Sequence, residues 1–122
     1  MTRLQKILNL YSKGSPSLEL KVYLKDLYGV LTKKPINLTS LKSILVKLFT
    51  YLLSKEGKTK DNYWTVDLFI SDSNDLWKAT YFSGLPESYQ DIFGEIQFFH
   101  GALDQPEFHS NPEIILKMLK EL

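Results

Sequence analysis

The chain has 122 residues, of which 43% are hydrophobic and 24% are charged, and its formal net charge at pH 7 is +1. These values are typical of one globular domain over residues 1–122, and they exclude a disordered tail and a collagen-like repeat. Because the sequence has no cysteine, it also excludes disulfides, a thiol nucleophile and cysteine-ligated metal centres.

The N-terminal part of the sequence predicts two helices. Thr2 is a candidate cap for a short helix that ends near Lys13, before Gly14. A second helix begins at residues 15–17, where serine and proline suit a helix N-terminus, and ends before Pro35. Its apolar side chains recur at helical spacing, which predicts one buried face.

The third predicted helix, residues 39–55, is the most apolar segment of the chain. Apolar side chains cover most of its circumference and leave only a narrow polar strip that contains Lys47. Such a helix is typically central and buried. A helix that lies on a membrane surface is the alternative, but it would need a basic polar face, which a single lysine does not supply.

Residues 63–82 allow two interpretations. Apolar side chains alternate from Trp64 to Ile70, which is typical of a strand, and residues 71–75 would then form the turn of a hairpin. The same residues can form a helix capped at Asp61. Because a lone hairpin is only marginally stable and no third strand is evident, we predict a helix over residues 62–70.

Two further helices are predicted near the C-terminus. One runs from Leu85 to Leu103, and the other begins at Ser110 with proline and glutamate in its first turn. The predicted fold is therefore all-α, a compact bundle of about six helices around helix 39–55. An α+β fold with a hairpin at residues 63–82 is the alternative.

The outer side of helix 85–103 carries an aromatic residue among glycines and acids. Helical glycines cost stability, so their presence indicates close approach of another element or another chain. An exposed aromatic residue beside them is typical of an interface, although the favoured explanation is that another helix of the same chain covers this face. The candidate interface residues are Asp91, Gly94, Glu95, Phe98 and Gly101.

Chemistry-bearing motifs are few. The sequence has neither a phosphate-binding glycine loop nor a serine nucleophile elbow. His100, Asp104, Glu107 and His109 lie close in sequence, but Pro106 interrupts them and their spacing fits no established metal site. We expect His100 to lie at the core boundary and to donate a hydrogen bond locally. We assign no catalytic residue, cofactor or metal ligand, and an enzyme is not favoured.

Charge is polarised along the sequence. Residues 1–60 contain 12 basic and 3 acidic residues, whereas residues 61–122 contain 3 basic and 11 acidic residues. The candidate anion-binding residues are Lys21, Lys25, Lys33, Lys34, Lys58 and Lys60. Residues 24–49 loosely resemble the first two helices of a winged helix-turn-helix, but helix 39–55 is too apolar to lie in a DNA groove.

The leading functional hypothesis is a non-enzymatic protein-protein interaction or regulatory module that binds another protein or itself. The alternative is a nucleic-acid-binding protein that contacts phosphates through the basic half without sequence specificity. No signal peptide and no membrane span are evident, so we expect a cytoplasmic protein.

Overall fold

The computed structural model describes residues 2–8, 16–81, 85–103, 105 and 112–122. These residues form seven α-helices and no strand, which confirms the all-α prediction. The helices are α1 Arg3–Leu8, α2 Leu18–Thr32, α3 Leu38–Leu53, α4 Lys60–Asp72, α5 Asn74–Tyr81, α6 Glu87–Gln97 and α7 Pro112–Lys120. Residues 9–15, into which the first predicted helix extended, lie outside the described residues.

Side-chain caps stabilise the starts of the first three helices. Thr2 and Gln5 bond reciprocally at the start of α1, where the Thr2 Oγ1 accepts the Gln5 backbone N–H. The Ser17 side chain accepts from the N–H of Leu20 at the start of α2, and Asn37 caps α3 in the same way. These caps satisfy N–H groups that have no partner within the helix.

The alternative of a hairpin at residues 63–82 is wrong, because residues 60–81 form α4 and α5. The cap of α4 is Thr59 rather than Asp61. Tyr63, Val66 and Phe69 are fully buried on one face of α4, so the helical period of the apolar residues outweighs their alternation. In α5, the buried Trp77 packs edge-on against Phe93 with 5.2 Å between ring centroids.

Helix α3 lies between α2 and α7, which are its main packing partners. The half-buried Val46 and Leu53 widen its apolar surface, and the polar strip around Lys47 is exposed. Its buried side chains lie on one side of the helix. They are Leu41, Ile44, Leu45, Leu48, Phe49, Tyr51 and Leu52. At about 1.5–3 kcal/mol for each large apolar side chain removed from water, this helix contributes a major part of the core energy.

Polar contacts fasten one end of the α2–α3 pair. The Tyr51 hydroxyl lies 2.7 Å from the Ser17 Oγ, so the start of α2 meets the last turn of α3 and the two helices run antiparallel. The buried Asn62 accepts the Ser17 N–H at 2.9 Å and donates to the Gly57 carbonyl at 3.0 Å. At residue 57 a Cβ would lie 1.9 Å from the Tyr51 carbonyl oxygen, so only glycine fits.

Helix α6 is shorter than the prediction of 85–103. It ends at Gln97, and the Phe98 N–H bonds back to the carbonyls of Glu95 and Ile96. The next residue, Phe99, is buried against Phe49 and Tyr63. Continuing the helix would move the Phe99 ring out of this position.

Ionisation of the buried Tyr63 makes the stability of the fold depend on pH. Its hydroxyl donates to the Leu52 carbonyl at 2.6 Å. Burial, with a smaller contribution from the Glu113 carboxylate, raises the pKa of Tyr63 from 10.0 to about 12. Because the folded-state pKa lies above the unfolded one, the resulting stability is fully present below pH 10 and is lost as pH rises through about 12.

We expect Tyr63→Phe to lower the free energy of unfolding by about 1 kcal/mol near neutral pH, because the hydrogen bond to Leu52 is lost. The phenylalanine cannot ionise, so the difference from the wild type should shrink between pH 10 and about 12. Urea unfolding of both proteins across this range measures the effect. A difference that stays constant would contradict the assignment.

Candidate functional site

Phe98 is held in solvent by the turn that ends α6. Its side chain is 80% exposed, whereas that of the adjacent Phe99 is only 4% exposed. The Phe99 ring lies 6.2 Å from Phe49 and 5.5 Å from Tyr63, measured between ring centroids. The exposed ring is therefore attached to backbone that is anchored in the core.

Of the five candidate interface residues, four lie together and one does not. Asp91, Glu95 and Phe98 are exposed along one side of α6, and the half-buried Gly94 lies among them. A Cβ on Gly94 would meet no atom within 4 Å. This side of α6 is open, as the helical projection predicts.

Gly101 is the exception, and the projection of this residue onto the outer face of a helix 85–103 is wrong. Because α6 ends at Gln97, Gly101 instead lies buried against α4 of the same chain. Its N–H donates to the Asp67 carboxylate at 2.8 Å, and a Cβ here would lie 2.8 Å from the Trp64 Cα. The close approach is therefore intramolecular.

A pocket of about 230 Å³ lies between α6 and α7 beside these residues. The exposed carboxylates of Asp91 and Glu121 lie at its edge, while Ile92 and Met118 provide apolar walls. Ser88 and Leu122 complete the lining. The α7 residues of this pocket could not be predicted from the sequence, because their proximity to α6 depends on how two helices that are separate in sequence pack together.

Helices α6 and α7 run antiparallel. Ser88, in the first turn of α6, lines the same pocket as Leu122, which follows the end of α7. At the other end of the pair, Phe99 and Glu113 both lie near Tyr63. Ile114 is one turn before Met118 on the same side of α7 and is 50% exposed. It therefore lies at the same end of the pair as Phe98.

We call the resulting patch the α6–α7 surface. It combines apolar side chains at the Phe98 end with carboxylates along its length. Its members are Asp91, Glu95, Phe98, Ile114, Met118 and Glu121.

Four of the six candidate anion-binding lysines lie at opposite ends of α2. Lys33 and Lys34 follow the last residue of α2. Lys58 and Lys60 lie near the start of α2, because Asn62 links the neighbouring Gly57 to the N-cap residue Ser17. Since α2 has 15 residues, it separates the two groups by about 22 Å. Lys21 lies near the start of α2, and Lys25 lies midway along it.

The single arginine of the chain is engaged within the fold. Arg3 donates through both Nη atoms to the Asp75 carboxylate, and Nη2 also donates to the Asp72 carbonyl at 3.3 Å. This contact joins α1 to α5. The paired hydrogen bonds raise the pKa of Arg3 and lower the pKa of Asp75.

His100 is half-buried at the core boundary, as expected, and its Nδ1 accepts a hydrogen bond. The Ala102 N–H bonds to this atom at 3.1 Å, and the ring packs edge-on against Trp64. Asp104, Glu107 and His109 lie outside the described residues. Within the described ranges, no group of three histidine or carboxylate side chains is placed to hold a metal.

Comparisons with known proteins give no relative: no family model, no curated protein and no solved structure matches the chain. Among the described helices, none is long and apolar enough to cross a membrane.

The two glycines of the predicted interface should respond oppositely to alanine. Gly101→Ala places a Cβ 2.8 Å from the backbone of α4 and should destabilise the protein by about 1–3 kcal/mol. Gly94→Ala meets no neighbour and should stabilise it by about 0.5–1 kcal/mol, because alanine favours the helix. Urea unfolding measures both changes, and a neutral Gly101→Ala would contradict the close approach.

Proposed function

We propose that the chain is a non-enzymatic protein-interaction or regulatory module that binds another protein, or a second copy of itself, through the α6–α7 surface. One observation carries this proposal, namely that the Phe98 ring is 80% exposed. Burying a phenylalanine side chain is worth about 1.5–3 kcal/mol. In the isolated chain most of the ring surface is in contact with water, so a partner that covers the ring gains most of this free energy.

The anchoring of residues 99–101 supports the proposal. Phe99 is buried and Gly101 packs against α4, so the turn that carries Phe98 is fixed before any partner binds. A preformed contact residue loses little conformational entropy on binding. Aromatic residues at the centre of a patch with polar residues around it are typical of protein interfaces.

The test compares wild-type protein with Phe98→Ala. Because the ring makes few contacts in the folded chain, the substitution should change the thermal midpoint by less than about 2 °C. Self-association, measured by sedimentation velocity, or the affinity for a purified partner, measured by titration, should weaken at least about tenfold.

The matched control is Leu18→Ala, which removes another side chain of high exposure from a different helix. It should leave both binding readouts unchanged. Severe unfolding of Phe98→Ala would show that the ring is part of the core. Equal losses in the two variants would mean that the contact is nonspecific, and either result would overturn the proposal.

Binding of nucleic acid through the lysines is the alternative proposal. It would require lysine groups about 22 Å apart to contact phosphates of one duplex. If the α6–α7 surface is the functional one, a labelled DNA duplex should show no measurable change in fluorescence anisotropy at low salt. Binding that falls roughly a thousandfold between about 50 and 200 mM salt would instead favour the alternative, since such a slope reports about six neutralised phosphates.

A further inference from the structure

The pocket between α6 and α7 has the dimensions of a side-chain site. Its volume of about 230 Å³ lies below the roughly 300–1,000 Å³ that is usual for small-molecule pockets. Ile92 and Met118 offer apolar contact, and the carboxylates of Asp91 and Glu121 lie at the opening. A lysine or arginine side chain fits this chemistry, because its aliphatic stem packs on apolar groups while its charged head reaches carboxylates.

Charge on α6 favours the same occupant. This helix carries Glu87, Asp91 and Glu95 and has no basic residue. Lys117 lies one turn from Glu121 on α7, and the Lys42 Nζ donates to the Leu122 main-chain oxygen at 3.3 Å, so the α6 side of the pocket is the more negative one. A positively charged segment therefore complements the α6 side of the pocket, and a negatively charged one is repelled.

The spacing of the two contact points suggests a helical partner. Asp91 lies on α6 and Phe98 directly follows its last residue, seven positions later, which is about 10 Å along the helix axis. Phe98 is 80% exposed and Ile114 is 50% exposed, and the antiparallel packing of α6 and α7 places both at the same end of the pair. A partner helix places side chains at positions i and i+7 on one face at this same separation.

We propose that the α6–α7 surface binds a basic amphipathic helix of another protein. One lysine or arginine of that helix enters the pocket at Asp91, and a large apolar side chain two turns away packs on Phe98 and Ile114. This inference rests on the proposed function, for which it specifies the chemistry of the partner.

The probe is a synthetic alanine-rich helical peptide with lysine at one position and leucine seven positions later. Added up to about 1 mM to the full chain, it should cause saturable shifts of the backbone amide NMR signals of Asp91, Phe98, Ile114 and Glu121. A matched peptide with glutamate in place of the lysine should cause none.

Protein variants test the two contact points separately. Asp91→Asn should weaken binding of the lysine peptide at least about fivefold, and Phe98→Ala should weaken it to a similar extent. Asp26→Asn, which removes an exposed carboxylate from α2, is the control and should leave the affinity unchanged.

Several outcomes would overturn the inference: absence of saturable shifts, shifts elsewhere on the protein, equal binding of the glutamate peptide, or equal losses in Asp91→Asn and Asp26→Asn. The proposed function fails separately. A purified partner that depends on Phe98 but has no basic helix would contradict only the inference, whereas a partner that is indifferent to Phe98 would contradict both.

Discussion

Burial of α3 is the constraint on which the rest of the structure depends. Its buried apolar side chains form a face too broad for one neighbouring helix to cover, so α2 and α7 both pack against it. Docking on α3 turns Ile115 and Leu119 of α7 inward. Met118 and Glu121 are then left beside α6, so the candidate surface is a consequence of how the core is filled.

Much of this fold can be predicted from local sequence, because apolar spacing and cap residues indicate where the main helices lie. The continuous apolar pattern of residues 39–55 and the cap residue Ser17 are examples. The end of α6 could not be predicted in this way. No glycine or proline follows Gln97 until Gly101, and the helix stops because Phe99 is buried between rings of α3 and α4. Such a signal exists only in three dimensions.

The residues of the candidate site also differ in whether local sequence could predict them. Phe98, Asp91 and Glu95 were identifiable because they lie on the polar side of one amphipathic helix, and that requires only the helical period. Ile114, Met118 and Glu121 were not, because their role follows from the antiparallel packing of α7 on α6. Gly101 shows the reverse error, since a residue projected outward becomes buried once the helix ends early.

The charges of the α6–α7 surface bear on the choice between a second copy and a different partner. In a two-fold symmetric dimer the same patch faces itself. The carboxylates of Asp91, Glu95 and Glu121 would then approach like charges, which costs free energy when the contact excludes water. The apolar contact of Phe98 favours association, while these carboxylates oppose the symmetric form. Together they favour a partner whose surface differs from this one and supplies the positive charge.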